Sequence, residues 1–308
     1  MVLEDFINKN IIDSVDDLRS RFLNAKPFKH LQIDNFFDPE LVSKLIKDFP
    51  APKKEEMLNE FGGVSLKHTV KDVRNISPTY QSLDDMVSSS DFIKFMENIT
   101  GIHELIYDPS YFGGGTHNNL SGQAMDPHVD FNYLDIPNIG KVHRRINAIV
   151  YLNKTWDESW GGNLDLHSDP WDPRKDQLIT VVPKKNRLIL FETNEYSWHG
   201  FHAVNHLVPF GMSRKSFAIY MYTKDRPQDE IKPSHGTFYV PRIPIEMLKP
   251  GVVLTNEMIS ALEAARINTL GLIKESYNTQ LNLSQSIADR EYETKELKNE
   301  LSLLKLTN

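Results

Sequence analysis

Between Glu104 and Thr223 the chain is written in short alternating runs, at 145–152, 162–167, 177–182, 186–192 and 214–222. Turn signals such as Gly161-Gly162, Asp169-Pro170 and Pro183-Lys184-Lys185 part them. No helical spacing intervenes, so a parallel sheet with helical crossovers has nothing to build on. Short strands at this spacing fold as antiparallel sheets, as a sandwich or a jelly roll. The expected class is mainly β with flanking helices.

The helices are legible on both sides of that region. Residues 3–24 repeat apolar side chains at threes and fours, among them Phe6, Ile11, Leu18 and Phe22. Phe28 to Ile33 alternates as a strand. Asp38-Pro39-Glu40 then supplies an N-cap, a first-turn proline and a first-turn acid, predicting a helix to about Phe49 that Pro50 and Pro52 end. Another amphipathic helix is predicted from Ser90-Asp91 to Gly101, a left-handed terminator. From Asn256 to Leu306 the pattern is helical throughout. Leu283, Ile287, Leu297, Leu301 and Leu304 share one a/d register, which Arg290 and Thr294 interrupt. A helix lying on its own domain and a self-associating coiled coil both fit, so a homo-oligomer through this helix is one expectation. Gly113-Gly114-Gly115 has no Gly-Lys-Ser/Thr after it and no helix behind it, and reads as a flexible loop.

Charge and composition exclude several partners. The net charge of -7 comes without any dense Lys/Arg run, so no basic field awaits a phosphate backbone and nucleic acid is not expected. The absence of cysteine removes disulfides, thiolate metal sites and a catalytic thiol, leaving His and carboxylate as the strong metal ligands. The N-terminus carries early acids and no apolar core, and no stretch approaches the ~18 consecutive apolar residues of a membrane span. A cytoplasmic protein is the expectation.

Chemistry concentrates in three places. In Asp126-Pro-His-Val-Asp-Phe-Asn132, His128 and Asp130 stand two apart on what reads as an extended segment, so imidazole and carboxylate project from one face. That pair is a weak signal alone. His199 follows the strand-like Arg187 to Glu192, with His202 as the other choice should the register slip. The strand Arg214 to Tyr222 places Arg214, Ser216, Ala218 and Tyr220 on one face. Two histidines and a carboxylate bind one face of Fe(II), and an arginine nearby can fork onto an organic carboxylate. Asn147 shares a face with Tyr151 and is either a substrate contact or a satisfied interior amide. Arg144 and Arg145 are expected to pair with acids between Asp126 and Asp135, and His143 and His167 to be solvated. Trp156, Trp160 and Trp171 are read as core or as a wall over the site.

These motifs, in this order and spacing, resemble the Fe(II)- and 2-oxoglutarate-dependent oxygenases of the prolyl 4-hydroxylase-like branch, over about Phe28 to Thr223. Phe28 to Glu40 looks like the branch's entry strand and first helix. Val150 to Trp156 followed by Trp160 to Asp165 is similar to its strand-turn-strand signature. The resemblance implies a double-stranded β-helix (jelly roll, cupin-like) core in a domain at 25–240, between an N-terminal helical segment at 1–24 and a C-terminal helical tail at 241–308. It implies Fe(II) held by His128, Asp130 and His199, with 2-oxoglutarate chelating the iron and pairing its far carboxylate with Arg214, assisted by Tyr151 and Ser216. O2 is the other cosubstrate. The implied reaction hydroxylates an unactivated C–H bond and releases succinate and CO2. A small-molecule or glycan-related substrate is favoured, with a prolyl residue of a peptide or protein as the alternative. The branch's second tyrosine has no counterpart in Thr116-His-Asn-Asn119, while His235-Gly-Thr237 and Arg242 resemble a C-terminal extension with no assigned chemistry. Two rivals are an inert scaffold acting through the helical tail and a zinc hydrolase. The first leaves Arg214 without a role, and the second leaves Arg214 and Tyr151.

Overall fold

Most of the N-terminal helices begin where a side chain caps them. Asn8 accepts from the Asn10 amide ahead of α1 (Lys9–Ile12), and α2 (Val15–Asn24) follows. Asp38 accepts from Glu40 and Leu41 at the start of α3 (Pro39–Lys47). Ser77 does the same for α4 (Pro78–Val87), and Ser89 for α5 (Ser90–Thr100), which Gly101 ends at φ 70°. The helix α4 was not among the sequence expectations. Its Ser77-Pro78 start repeats the cap-then-proline signal of Asp38-Pro39.

The computed structural model describes residues 2–53, 67–172, 174–242 and 248–306, which divide into units at 1–240 and 241–308. The first unit holds thirteen strands among its described residues. Up to the middle of the chain these are β1 (His30–Ile33), β2 (Lys67–Val70), β3 (Ile106–Tyr107), β4 (Gly115–Asn119), β5 (Met125–Val129), β6 (Tyr133–Ile136) and β7 (Gly140–Tyr151). Then come β8 (Leu164–His167), β9 (Leu178–Val181), β10 (Leu188–Glu192), β11 (Trp198–Phe201), β12 (Arg214–Thr223) and β13 (Phe238–Tyr239).

All pairings are antiparallel. The large sheet runs β1-β10-β7-β12-β4-β2, with β3 on β12 and β6 on β7; the small sheet runs β13-β5-β11-β8-β9. The chain changes sheet from β4 to β5, from β5 to β6, from β7 to β8, from β9 to β10 and at each later step to β13. Two four-stranded sheets wound in this way, β10-β7-β12-β4 against β5-β11-β8-β9, are the double-stranded β-helix.

Strand alternation divides β7 between two environments. Ile146, Ala148 and Val150 join Phe217, Ile219 and Met221 of β12 in the main core with the helices. Tyr151 and Ile149 point the other way, toward Leu164, Leu166 and Phe191 between the sheets. Phe217 is fully buried against Tyr80 and Tyr111, so truncating it to Ala would cost about 3–5 kcal/mol.

The triple glycine is not a flexible loop. A Cβ on Gly114 would lie 2.8 Å from the Ala218 carbonyl oxygen, and one on Gly115 2.2 Å from that of Val70. Glycine is required there by close backbone approach, and Gly115 opens β4.

The second unit contains α6 (Asn256–Leu306), 51 residues and therefore about 77 Å of helix. Leu283, Ile287 and Leu297 are exposed along it. Leu301 and Leu304 of the same register lie outside the described side chains. No helix among the described residues is long and apolar enough to cross a membrane.

Candidate active site

His128 on β5 and His199 on β11 are direct cross-strand partners in the small sheet, so both imidazoles project from one face. Asp130 follows on the same side, just past the end of β5. The three offer donor atoms within 4.8 Å of one another. His128 Nε2 lies 3.8 Å from Asp130 Oδ1, and His199 Nε2 3.6 Å from Oδ2. Each imidazole donates its Nδ1 proton to a backbone carbonyl two residues earlier, Asp126 O and Ser197 O, at 2.9 Å in both cases. A carbonyl can only accept, which leaves the Nε2 lone pairs turned toward the carboxylate.

The electrostatics favour the ligating forms. Burial, and then the neighbouring His199, drives His128 down to about 3. Burial is likewise the leading cause that lowers His199. For Asp130 burial acts upward, but Arg144 and the two histidines outweigh it and hold the carboxyl at about 2. At neutral pH the cluster is two neutral imidazoles and one carboxylate, the donor set and charge that suit a divalent cation.

A second group lies on the large sheet. Arg214, at the start of β12, is 4% exposed. Its Nε donates to Gly162 O at 2.6 Å, Nη1 to Asn119 Oδ1 at 3.3 Å and Nη2 to the Tyr151 hydroxyl at 3.1 Å. Its guanidinium stands 4.4 Å from the centre of the Phe201 ring. Burial lowers its pKa, and no carboxylate among the described residues pairs with it. Ser216 Oγ and Asn119 Nδ2, both buried, have no hydrogen-bond partner among the described residues. A buried cation beside orphaned polar atoms fits the far carboxylate of a small dicarboxylate. Gly161 and Gly162 of the Trp160 to Asn163 turn make this approach feasible. At φ 66° a Cβ on Gly162 would lie 2.9 Å from Val204 Cγ2 and 3.0 Å from Arg214 Cδ.

All six residues singled out in the sequence thus fall into two clusters: His128, Asp130 and His199 in one, Arg214, Tyr151 and Ser216 in the other. The neighbours meet expectation only in part. Asn147 is a satisfied amide, giving 2.8 Å to Asp130 Oδ2 and receiving Arg144. Arg144 pairs with Asp130 at 3.1 Å as expected, but Arg145 pairs with Glu192 at 3.1 Å and not with the 126–135 acids, because adjacent strand residues leave by opposite faces. His167 is buried against Asp176 at 2.5 Å rather than solvated. His202 lies on the surface, 3.5 Å from Asp165, so the register selects His199. Trp156 and Trp160 pack edge to face, whereas Trp171 is 59% exposed against Trp198 and Phe238. Asn119 is a contact the sequence reading missed; its place opposite Arg214 follows from the β4–β12 register, which no local pattern announces.

Comparison with known proteins finds several similar chains. Residues 115–222 match the model of the 2OG-Fe(II) oxygenase superfamily. Over 80 residues the chain is 34% identical to the prolyl 3-hydroxylase OGFOD1 of Mus musculus, a match that covers 26% of this chain and 14% of that protein. Among solved structures, prolyl 4-hydroxylase from Phytophthora capsici is similar at TM-score 0.45 and 19% identity, over 74% of this chain and 67% of the other. HygX from Streptomyces hygroscopicus, solved with nickel, 2-oxoglutarate and hygromycin B, is similar at TM-score 0.46 and 13% identity, over 71% and 96%. Both clusters lie within residues 115–222, the segment that matches the 2OG-Fe(II) oxygenase superfamily.

Proposed function

We propose that the chain is an Fe(II)- and 2-oxoglutarate-dependent dioxygenase that hydroxylates an unactivated C–H bond. The observation that carries this is the pairing of a cluster of two neutral imidazoles and one carboxylate with a buried arginine that has no carboxylate of its own among the described residues. When bound, Fe(II), 2-oxoglutarate and O2 supply the oxidation: the cosubstrate becomes succinate and CO2, taking one oxygen atom, and the other enters the substrate C–H bond. His128, Asp130 and His199 would hold the metal through Nε2, a carboxylate oxygen and Nε2. Arg214 would receive the far carboxylate of 2-oxoglutarate, with the Tyr151 and Ser216 hydroxyls to assist. Leu164, Leu166 and Phe191 exclude water from the chamber between the sheets.

A zinc hydrolase would use the triad but leave Arg214 idle. Of the substrates left open by the sequence, a prolyl residue in a peptide gains support from the mouse relative's activity, and small-molecule and glycan-related compounds complete the test set. The experiment is 2-oxoglutarate turnover across a panel of prolyl peptides, free amino acids and glycan precursors, scored by succinate above the substrate-free rate. Stimulation by one class identifies the substrate, whereas a wild-type chain that makes no succinate with any panel member, or without substrate, contradicts the reading.

A further inference from the structure

Arg144 belongs to a strand whose alternation would turn it away from the site. Counting back from Tyr151, Ile149 and Asn147, the face between the sheets should next receive Arg145. The β7–β12 register shifts at this point: Met221 faces Ile146, but Tyr222 faces Arg144, so two steps of β7 oppose one of β12. The bulge brings Arg144 round to the side of Asn147. There its Nε and Nη2 both donate to Asn147 Oδ1, at 3.0 and 2.8 Å.

Both residues then meet the same atom. Asn147 Nδ2 donates to Asp130 Oδ2 at 2.8 Å, and Arg144 Nη2 lies 3.1 Å from that oxygen. Oδ1 receives no hydrogen bond among the described residues. The guanidinium is itself fixed, 3.8 Å from the centre of the Tyr220 ring and 4.4 Å from that of Phe131, and Arg144 is 2% exposed. A salt bridge alone would not need the amide.

We infer that Asn147 and Arg144 are positioning residues which fasten one oxygen of Asp130 so that the carboxylate presents the other to the metal. This rests on the metal-centre reading given above. A carboxylate held by one oxygen keeps its plane and cannot swing to chelate, and hydrogen-bonded partners of this kind typically carry about 10–100-fold in metal affinity. The pair matters in different ways. Removing Arg144 also deletes a positive charge beside the cation, an effect of opposite sign, whereas removing the Asn147 amide changes no charge.

The test is anaerobic titration of the full chain with Co(II), followed by calorimetry and by the visible Co(II) absorption, which reports ligand geometry. Wild type, Asn147→Leu, Arg144→Lys and His128→Ala are compared, with thermal melting to verify folding. The expected results are Asn147→Leu binding Co(II) about 10–100-fold more weakly with an altered absorption, Arg144→Lys weakened about tenfold, and His128→Ala weaker than either. Asn147→Leu within twofold of wild type, with the same absorption, would overturn the inference and leave the metal centre standing. A wild-type chain that takes up no Co(II) would instead overturn the metal centre. If Asn147→Leu does not fold, Arg144→Lys decides: tenfold weaker supports the inference, and within twofold overturns it.

Discussion

Arg214 and Tyr151 meet in the interior at 3.1 Å, guanidinium to hydroxyl, with no carboxylate among the described residues to neutralise the cation. An arginine buried in this way is costly to the free protein, a cost that the proposed dicarboxylate would offset. Arg214→Ala is therefore expected to raise the 2-oxoglutarate requirement by roughly two orders of magnitude or more, from a loss of about 2–5 kcal/mol. Lysine keeps the charge without the fork and should restore only part of it. Fe(II) affinity measured without cosubstrate should change little. A parallel fall in both constants would make Arg214 a structural pairing residue.

Gly162 packs against the proposed anchor. Alanine at φ 66°, with its Cβ against Val204 and the Arg214 stem, is strained by about 1–2 kcal/mol before any clash is counted. Gly162→Ala should lower the urea midpoint and weaken 2-oxoglutarate binding together. An unchanged cosubstrate constant in a destabilised variant would separate the turn from the anchor.

The strand β13, which lies beside β5 and its His128, is fastened partly by charge. His235 Nε2 lies 3.0 Å from Glu195, whose hydrogen bond is the first cause raising the imidazole pKa; Glu195 is lowered in turn, first by His235. A raised histidine stabilises fully below its ordinary value of 6.5 and loses that contribution as pH climbs through the raised one. A lowered glutamate contributes above its ordinary value and loses it as pH falls through the lowered one. The bridge therefore holds at mildly acid pH and loosens toward alkaline pH. Hydrogen exchange at Val240, whose amide donates to Pro127 O, reads this directly. Protection relative to His235→Gln should be greatest near pH 6 and vanish as His235 deprotonates. A ratio flat with pH would remove the bridge from the account.

Much of the site was legible because it obeys strand parity. His128 and Asp130 at i and i+2, and Arg214 and Ser216 likewise, could be placed on shared faces without coordinates. What escaped was set by register. The bulge that turns Arg144 toward Asp130, the pairing that seats Asn119 opposite Arg214, and the partner Asp176 that buries His167 depend on which residues of distant segments face each other. The glycines at 113–115 misled for the same reason. The requirement at Gly114 and Gly115 comes from the backbones of Ala218 and Val70, far away in sequence.

We propose that the helical unit governs association. Leu283, Ile287 and Leu297 are exposed on α6 but Arg290 and Thr294 break their seam, so self-association should be weak and concentration-dependent. Light scattering on a chain ending after Gly251 should give a monomer where the full chain shows a larger mass, with 2-oxoglutarate turnover retained. Equal masses would assign the helix no part in assembly.

The most direct test of the central claim is optical. Anaerobic addition of 2-oxoglutarate to the Fe(II)-loaded chain is predicted to produce a weak visible charge-transfer band at a stoichiometry of one, absent from His128→Ala and Asp130→Ala and shifted to far higher cosubstrate concentration in Arg214→Ala. An Fe(II)-loaded wild-type chain that stays without this band at saturating 2-oxoglutarate would contradict the account, since metal and cosubstrate would then not meet at one site.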